Sequence, residues 1–318
     1  MSDPSSLDVS VIICTRNRAE SLRGTLESLG RLTLPEGTRW EVLIVDNGST
    51  DATPAVIAEH EGRIPVRRLA EPTPGLSNAR NCGLRAAAGR YIAWTDDDVL
   101  VDPDWLSAYL EAFRTWPEAA VFGGRITARI DPPTPPWFTE VRGALTHMLA
   151  ERDFGDAPLP LSIAEDRLPY GANYAIRSEE QRRFPYDPAY GVAPGRALLG
   201  EEVLVIKAIF ATGATGRWVP QSRVIHRIGH SRQTIPYVVQ YHRAVGATAA
   251  QMEGRLDAQF LFGAPRWLWR RLPLLFLTYH WLRMTAPPSR WIEALKTLAH
   301  HEGVLRYWRD EARRSGTP

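Results

Sequence analysis

Two observations predict an α/β fold with a mostly parallel sheet flanked by helices for residues 1–230, and a third predicts a helical C-terminal appendage for residues 231–318. Apolar runs typical of buried strands alternate with helical patterns, which favours parallel strands joined by right-handed crossovers. Short polar clusters follow several of these runs. The last 64 residues contain five of the eleven tryptophans, and there basic residues outnumber acidic ones by eleven to five.

The predicted strands and helices alternate in the order that a parallel sheet requires. The helix after the first strand places Leu22, Leu26 and Leu29 on one face, and a later helix at residues 75–88 should end at Gly89. Strands are expected at residues 9–14, 41–45, 66–69, 91–94, 119–127, 171–177 and 219–225, and further helices at residues 104–116 and 200–210.

Charge and cysteine content exclude several classes of protein. The formal net charge of +2 gives no reason to expect nucleic-acid binding. The two cysteines, Cys14 and Cys82, are too few for a disulfide framework or a zinc site, which fits a reducing cytosol. The N-terminal residues lack an apolar signal core, and no stretch reaches the roughly 20 apolar residues that span a bilayer. We therefore expect a cytoplasmic protein, either soluble or peripheral on the inner face of the cytoplasmic membrane.

Three adjacent carboxylates, Asp96, Asp97 and Asp98, come directly after the predicted strand at residues 91–94. Like charges this close repel each other unless a cation lies between them, and carboxylate oxygens suit Mg²⁺ or Mn²⁺. Such an ion could bridge two phosphates of a nucleotide and stabilise a departing diphosphate. A solvated acidic turn that caps the next helix explains the triplet equally well.

Polar clusters also follow the first two strands. Thr15, Arg16 and Asn17 come after the first, and Asp46 and Asn47 after the second. Ligands of parallel sheets collect at the carboxyl ends of the strands, so these side chains could contact a nucleotide. Turn and capping chemistry is the alternative for each cluster. Three clusters at one edge of a sheet indicate a binding site more strongly than any one of them does.

Two later features could supply catalytic groups. Glu201 and Glu202 begin a predicted helix, and one of them could be the general base for an acceptor hydroxyl, because neighbouring carboxylates raise one pKa. Carboxylates are also stabilised in any first helical turn. His226 ends a predicted strand, where it could ligate a metal or touch a phosphate, whereas a single His is more often structural.

These motifs, in this order and spacing, resemble those of the family 2 glycosyltransferases. The close match covers about the first 130 residues, and a looser match continues to His226. The matching segments are residues 9–18, 45–51, 75–81, 91–98, 171–173 and 200–202.

The resemblance implies a GT-A fold and an inverting transferase that uses a nucleotide-diphosphate sugar, with Mn²⁺ or Mg²⁺ as cofactor. UDP is the expected nucleotide, with GDP and dTDP as alternatives. Residues 1–128 would bind the nucleotide and residues 129–230 the acceptor. The implied nucleotide-sugar contacts are Thr15, Arg16, Asn17, Asp46, Asn47, Arg80, Asp96 and Asp97; the metal ligands are Asp98, Asp96 and His226; the acceptor side is Gly171, Ala172 and Asn173.

The base position of the family matches Glu202. Family members usually have an Asp there after a Glu, and this chain has a Glu-Glu pair instead, so Glu201 remains an alternative base. The resemblance further implies a hydroxyl acceptor on a cell-surface glycan or a glycolipid precursor.

The C-terminal region has a composition of its own. Trp and Arg interleave with Leu and Phe in residues 266–276, which is typical of a membrane interface. A helical appendage that packs on the catalytic domain or forms a dimer contact is the alternative, because interfaces also favour Trp and Arg.

Two other functions fit parts of the pattern. A nucleotidyltransferase can share such a sheet and metal site, but it needs a glycine-rich phosphate loop after the first strand, where residues 15–18 contain no glycine. A catalytically decayed module that binds a nucleotide sugar is the second alternative, and the presence of Asp46, Asp96, Asp98 and Glu202 disfavours it.

Overall fold

The computed structural model describes residues 7–254 and 258–315, which form two compact units. Of the described residues, the first unit comprises 7–129, 150–195 and 200–227, and the second comprises 130–149, 196–199, 228–254 and 258–315. That the catalytic domain ends near residue 230 stays a prediction. The second unit also takes in two segments from before that boundary.

The strands of the chain form one large sheet and short two-stranded pairs. Their bounds are β1 Leu7–Thr15, β2 Trp40–Asp46, β3 Val66–Ala70, β4 Gly89–Asp96, β5 Val99–Val101, β6 Ala119–Ile130, β7 Tyr174–Arg177, β8 Gly191–Ala193, β9 Arg196–Leu198, β10 Thr215–Ile228, β11 Phe260–Leu261 and β12 Ala264–Pro265.

The helices lie between the strands in the first unit and dominate the second. Their bounds are α1 Ala19–Leu29, α2 Thr53–Ala58, α3 Leu76–Ala86, α4 Trp105–Thr115, α5 Pro136–Val141, α6 Ser178–Arg183, α7 Glu201–Phe210, α8 Ile235–Glu253, α9 Arg266–Thr285 and α10 Pro288–Ser315, with 3₁₀ turns at Arg142–Leu145 and His230–Arg232.

The sheet of the first unit has eight strands in the order β3-β2-β1-β4-β7-β6-β10-β5. The predicted parallel arrangement is confirmed for β3, β2, β1 and β4. Beyond β4 the strands pair in antiparallel fashion. Strand β7 is antiparallel to both β4 and β6, and β5 is antiparallel to β10. The result is a mixed sheet whose parallel half comes from the first hundred residues.

Strand β1 is buried on both faces, as its continuous apolar run predicts. Val9, Val11 and Ile13 pack into one hydrophobic core, which also contains the inner face of α1. Ile12 packs into a second core on the opposite face of the sheet. The two cores hold β1 from both sides, and the end of this strand is therefore a rigid support.

The prediction that Gly89 ends a helix is wrong. Helix α3 already ends at Ala86, and Gly89 is the first residue of β4. A Cβ at this position would lie 2.3 Å from the backbone nitrogen of Ser10 in β1. The glycine is needed because β4 begins in close contact with the neighbouring strand.

The strand predicted at residues 171–177 is shorter in the structure. Strand β7 begins at Tyr174, and Asn173 before it lies fully buried at a junction of elements. The Asn173 amide donates to the carbonyls of Arg125 and Ser222, at 3.0 and 2.9 Å. Its side-chain oxygen accepts from the indole of Trp105 at 2.8 Å and from the hydroxyl of Tyr109 at 2.7 Å. All four hydrogen-bonding positions of this side chain are therefore used.

The second unit is built around the crossing of two long helices, α8 and α10. A Cβ at Gly246 would lie 1.9 Å from the carbonyl oxygen of His300, and one at Gly303 would lie 2.0 Å from that of Arg243. The two glycines let the helix backbones touch. The C-terminal helices predicted from the sequence are present, and α9 packs against α10.

No helix in residues 7–254 or 258–315 is both long enough and apolar enough to cross a membrane.

Removing the Asn173 side chain should weaken the fold rather than the affinity for a substrate. In Asn173→Ala the donors of Trp105 and Tyr109 and two carbonyls lose a buried partner, and each such loss costs on the order of 1–3 kcal/mol. We expect the thermal midpoint to fall by about 8 °C or more, at roughly 2–4 °C per kcal/mol. Asn78→Ala, whose side chain bonds at the exposed surface, is the matched control and should change little. An unchanged midpoint combined with weaker substrate binding would contradict this role.

Candidate active site

The ends of the parallel strands meet at one edge of the sheet. In the register of β1 with β2, Thr15 lies opposite Asp46, and in the register of β1 with β4, Cys14 lies opposite Asp96. The expectation that the three polar clusters gather at one edge is therefore confirmed. This is the edge at which ligands of parallel sheets bind.

The second and third carboxylates of the acidic triplet share one guanidinium. Arg18 places its Nε 3.2 Å from one oxygen of Asp97 and its Nη2 2.6 Å from one oxygen of Asp98. Thr15 donates its hydroxyl to the other oxygen of Asp97 at 2.7 Å. Both carboxylates are only 4% exposed. Two buried negative charges are thus held side by side by a single positive charge.

His226 joins the same cluster from across the sheet. It lies within β10 opposite Val99, rather than at the end of its strand, and is buried. Its Nε2 is 3.5 Å from Oδ1 of Asp98, whereas Arg18 contacts Oδ2 of the same carboxylate. The predicted metal ligands Asp98 and His226 are therefore neighbours in space. In the described part of the chain, no three His, Cys, Asp or Glu side chains form a ready-made metal site.

Burial opposes the ionisation of the carboxylates in this cluster. It raises the pKa of Asp97 to about 7, with the charge of Arg18 acting against this rise and the charge of Asp98 adding to it. Burial and the charge of Asp98 also raise the pKa of Asp96, which is half-buried. A further cation at this edge would stabilise all three ionised carboxylates.

Asp46 is paired with a residue that sequence reasoning missed. The guanidinium of Arg68 in β3 donates to one carboxylate oxygen of Asp46 from Nε at 3.1 Å and from Nη2 at 2.5 Å. The other oxygen accepts the backbone N–H of Ser49 at 2.8 Å. Although burial opposes the effect, these hydrogen bonds from Ser49 and Arg68 lower the pKa of Asp46. The side chain is ionised, buried and fixed in place.

The two asparagines of the strand-end clusters tie loops together. Asn47 donates to the carbonyls of Glu71 and Thr73 and accepts from the N–H of Gly75, each at 2.8 Å. Asn17, in the left-handed region at φ 54°, accepts from the N–H of Thr50 at 2.7 Å. These bonds shape the loops after β1 and β2.

Arg16 is exposed beside this pair of loops. A long cationic side chain at the edge of the sheet can reach an anionic ligand without first breaking a buried contact.

A second acidic cluster surrounds Arg80 of helix α3. This arginine is buried, with its Nη1 2.9 Å from Glu201 and 3.8 Å from Glu202 at the start of α7. Its guanidinium also lies over the ring of Tyr186, 5.3 Å from the centroid, which is a cation–π distance. Arg80 therefore holds the start of α7 against α3 by charge as well as by packing.

The two glutamates at the start of α7 differ in their surroundings. Glu201 is 5% exposed and bears the closer contact with Arg80. Glu202 is half-buried, and one of its oxygens accepts the backbone N–H of Gly171 at 3.2 Å. A Cβ at Gly171 would lie 2.8 Å from Nη2 of Arg80 and 3.5 Å from Oε1 of Glu202, so a larger residue here would displace the guanidinium. Glu202 is the more accessible of the two carboxylates.

The residues predicted on the acceptor side divide into two groups. Gly171 lies directly against Glu202, as described. Ala172 is buried, and its carbonyl accepts the hydroxyl of Thr95 at 2.9 Å. The side chain of Asn173 has no hydrogen-bonding position left for an acceptor.

The two acidic clusters are close enough to affect each other. The charges of Arg80 and Glu202 both act on the pKa of Asp96, and the charge of Asp96 contributes to the raised pKa of Glu201. Asp96 therefore belongs electrostatically to both. The strand end and the start of α7 form one continuous acidic site.

Arg18 and Arg68 were not identified from the sequence as site residues. Arg18 follows a cluster for which turn chemistry is an alternative, and Arg68 lies in a predicted strand; each contacts its carboxylate across 22 or more residues of chain. A usable signal was present in both cases. The buried carboxylates of Asp46, Asp97 and Asp98 at one edge require cationic partners, and these arginines lie in the neighbouring segments.

Comparison with known proteins places this site in a family context. The family model described as glycosyl transferase family 2 matches residues 10–167, about half of the chain. Succinoglycan biosynthesis protein ExoM of Rhizobium meliloti (strain 1021) is 28% identical over 267 residues, which cover 81% of this chain and 78% of that protein. Glucosyl-dolichyl phosphate glucuronosyltransferase of Haloferax volcanii is 26% identical over 239 residues, 73% of each chain.

Higher identity is found over a shorter segment. Validoxylamine A glucosyltransferase of Streptomyces hygroscopicus subsp. jinggangensis is 36% identical over 106 residues, which cover 33% of this chain and 25% of that protein. The chain therefore spans most of the length of some relatives and a quarter of that of others.

Solved structures share the GT-A fold of the chain. The mannosyltransferase PcManGT from Pyrobaculum calidifontis, in complex with GDP-Man and Mn²⁺, aligns with a TM-score of 0.54 and 18% identity over 98% of this chain and 74% of that one. Residues 1–349 of S. aureus TarS, in complex with UDP-GlcNAc, align with a TM-score of 0.55 and 16% identity over 98% and 92%.

The raised pKa of Glu201 predicts how stability depends on pH. Burial raises this pKa from 4.5 to about 7, against the charge of Arg80 and together with that of Glu202. Between these values the folded protein binds more protons than the unfolded one, so the free energy of unfolding falls as the pH rises through the window. We expect Glu201→Gln to flatten this fall, as measured by denaturation from below pH 4.5 to above pH 7.

Asp97, whose pKa is also raised to about 7, leaves a residual slope in that variant. Glu36→Gln, at an exposed position, serves as the control and should keep the slope of the wild type. An equal slope in Glu201→Gln and wild type would show that the Glu201 proton is not linked to folding.

Proposed function

Since the chain belongs to glycosyltransferase family 2, we propose that it is an inverting transferase that moves a sugar from a nucleotide-diphosphate sugar to a hydroxyl acceptor. The observation that carries the proposal is the geometry of the acidic site, in which Arg18 bridges Asp97 and Asp98 at the strand edge and Arg80 lies 2.9 Å from Glu201 at the start of α7. One part of this site suits a metal and a diphosphate, and the other suits a general base.

The donor lies along the edge formed by β1, β2 and β4. Asp46 and Asn47 contribute a fixed carboxylate and a shaped loop for the nucleoside, and Arg16 offers an exposed charge to the diphosphate. The other proposed contacts to the nucleotide sugar are Thr15, Asn17, Arg80, Asp96 and Asp97. UDP is the proposed nucleotide, and neighbours of this fold are solved with UDP-GlcNAc and with GDP-Man.

A divalent cation, Mn²⁺ or Mg²⁺, fits the donor set around Asp98. Carboxylate oxygens and an imidazole are suitable ligands, and Asp98 already lies 3.5 Å from His226. Asp98, His226 and Asp96 would hold the ion, which when bound supplies positive charge to the diphosphate leaving group. Arg18 contacts both Asp97 and Asp98, so it neutralises part of the negative charge of these two carboxylates.

The general base is Glu202. Its carboxylate is half-buried and is oriented by the N–H of Gly171, whereas Glu201 makes the closer contact with Arg80. Glu202 takes the proton of the acceptor hydroxyl as that oxygen bonds to the anomeric carbon. The bond from this carbon to the diphosphate oxygen breaks on the opposite side, so the configuration inverts in one displacement. Arg80 and Glu201 fix the start of α7, which keeps the base in place.

The acceptor is a hydroxyl on a cell-surface glycan or a glycolipid precursor, met at the inner face of the cytoplasmic membrane. Two relatives support this part of the proposal, one a succinoglycan biosynthesis protein and one a glucosyl-dolichyl phosphate glucuronosyltransferase.

Donor binding and base catalysis can be separated by two variants. Thermal-shift titration with UDP, GDP, dTDP and CDP should show one nucleotide that raises the melting temperature only when Mn²⁺ is present, because a ligand of the folded state stabilises it. Asp98→Asn should lose this shift. Glu202→Gln should keep it and release nucleoside diphosphate from the matching nucleotide sugars about 100-fold more slowly, since general bases contribute about 10²–10⁴-fold.

Asp104→Asn changes an exposed carboxylate at the N-cap of α4; it is the control and should behave as wild type. A metal-dependent shift that persists in Asp98→Asn would contradict the metal assignment. Undiminished turnover in Glu202→Gln would contradict the base assignment and favour Glu201. The absence of a shift with every nucleotide would contradict the transferase itself.

A further inference from the structure

Helix α9 carries an unusual combination of residues. Its twenty residues contain four arginines, at positions 266, 270, 271 and 283, and no Asp or Glu. The remaining positions are mostly large and apolar, with three tryptophans among them. A helix of this length extends for about 30 Å. Its composition alone fits either a buried cationic helix or one that lies along a surface.

One face of α9 packs against its own unit. Leu268 is fully buried, and the ring of Tyr279 lies 6.5 Å from that of Trp291 in α10. Arg283 stacks over the same Trp291 ring, with its guanidinium carbon 4.2 Å from the centroid. These contacts fix the orientation of α9 within the second unit.

The other face exposes a continuous apolar stripe. Leu274, Leu277, Trp281 and Met284 follow one another at helical spacings of three and four residues, and their side chains are 66, 64, 61 and 79% exposed. Four large apolar side chains in one row are unusual on a protein surface that meets only water. The stripe runs along the C-terminal two thirds of the helix.

A basic groove continues the stripe toward the start of α9. It has a volume of about 550 Å³ and contains three guanidiniums, an amide and an indole. No carboxylate is present among the described residues that line it. Trp267, Arg270 and Leu274 lie on the same side of the helix as the stripe, so groove and stripe form one surface. The lining residues are Ala258, Gln259, Arg266, Trp267, Arg270, Arg271 and Leu274.

We propose that this α9 surface, from Trp267 to Met284, docks on a bilayer that contains anionic phospholipid. The arginines of the groove bind lipid phosphates, while the apolar stripe enters the boundary between headgroups and acyl chains. The helix lies along the bilayer, and it does not cross it. The proposal goes beyond sugar transfer, because it identifies the lipid chemistry and the residues by which the protein would reach a membrane.

Charge decides between the bilayer and a second copy of the chain. A symmetric dimer through this surface would place the same patch against itself. In such a contact each residue of the surface meets only residues of the same surface, and α9 has no acidic residue that could pair with Arg266, Arg270 and Arg271. An anionic bilayer complements the same charges and accepts the apolar stripe as well.

Vesicle co-sedimentation of the full chain, without nucleotide or sugar, tests the proposal. The wild type should bind vesicles of phosphatidylcholine with phosphatidylglycerol and should bind phosphatidylcholine alone much more weakly. The double variant Leu277→Glu with Trp281→Glu should lose binding to both. Arg270→Gln with Arg271→Gln should bind the anionic vesicles roughly 30-fold more weakly and keep the weak binding to neutral ones.

Two controls change equivalent side chains elsewhere in the same unit. Met252→Glu alters an exposed apolar residue of α8, and Arg313→Gln with Arg314→Gln removes two exposed arginines of α10. Both should bind as wild type, as should Asp98→Asn, which separates docking from the transfer chemistry. Unchanged thermal midpoints in the α9 variants show that they remain folded.

Three results would overturn the proposal. One is the absence of binding to anionic vesicles, and another is equal binding by the wild type and the Leu277→Glu, Trp281→Glu variant. The third is a wild-type dimer in sedimentation velocity that this variant abolishes while vesicle binding stays absent. That result would assign the surface to a second copy of the chain.

Discussion

The candidate active site depends on the pairing of buried carboxylates with two arginines. Burying an ionised group costs several kcal/mol unless a partner compensates it. Arg18 holds Asp97 and Asp98 at the strand edge, and Arg80 holds Glu201 close to Glu202 at the start of α7. Each arginine faces two carboxylates, so in both clusters the carboxylates outnumber the guanidinium. The edge is therefore a folded structure that still attracts cations, as a site for a metal and a diphosphate requires.

The sequence is informative where local pattern determines structure. The apolar run of β1, the leucine spacing of α1 and the acidic triplet after β4 are all local, and the structure has the corresponding elements. Contacts between distant segments were not readable in the same way. Arg18 meets Asp98 across 80 residues, and no periodicity indicates such a pair. Gly89 was misread because its close neighbour is Ser10 of another strand, while its nearby sequence looks like the end of a helix.

Asn173 illustrates the same limit within the site. Its motif context suggested contact with an acceptor, yet its bonding partners come from α4, β6 and β10, which meet only in the folded chain. The C-terminal region adds another case. A helix with apolar side chains on two opposite faces shows little amphipathic pattern, although one face of α9 packs inward and the other is exposed.

The most direct test of the central claim is anomalous diffraction from crystals grown with Mn²⁺ and UDP. The account predicts one manganese peak within bonding distance of Asp98 and His226, with the diphosphate on the same ion. A diphosphate bound at this edge with no manganese, or a manganese peak away from Asp98, would contradict the claim that the strand-edge carboxylates form the metal and diphosphate site.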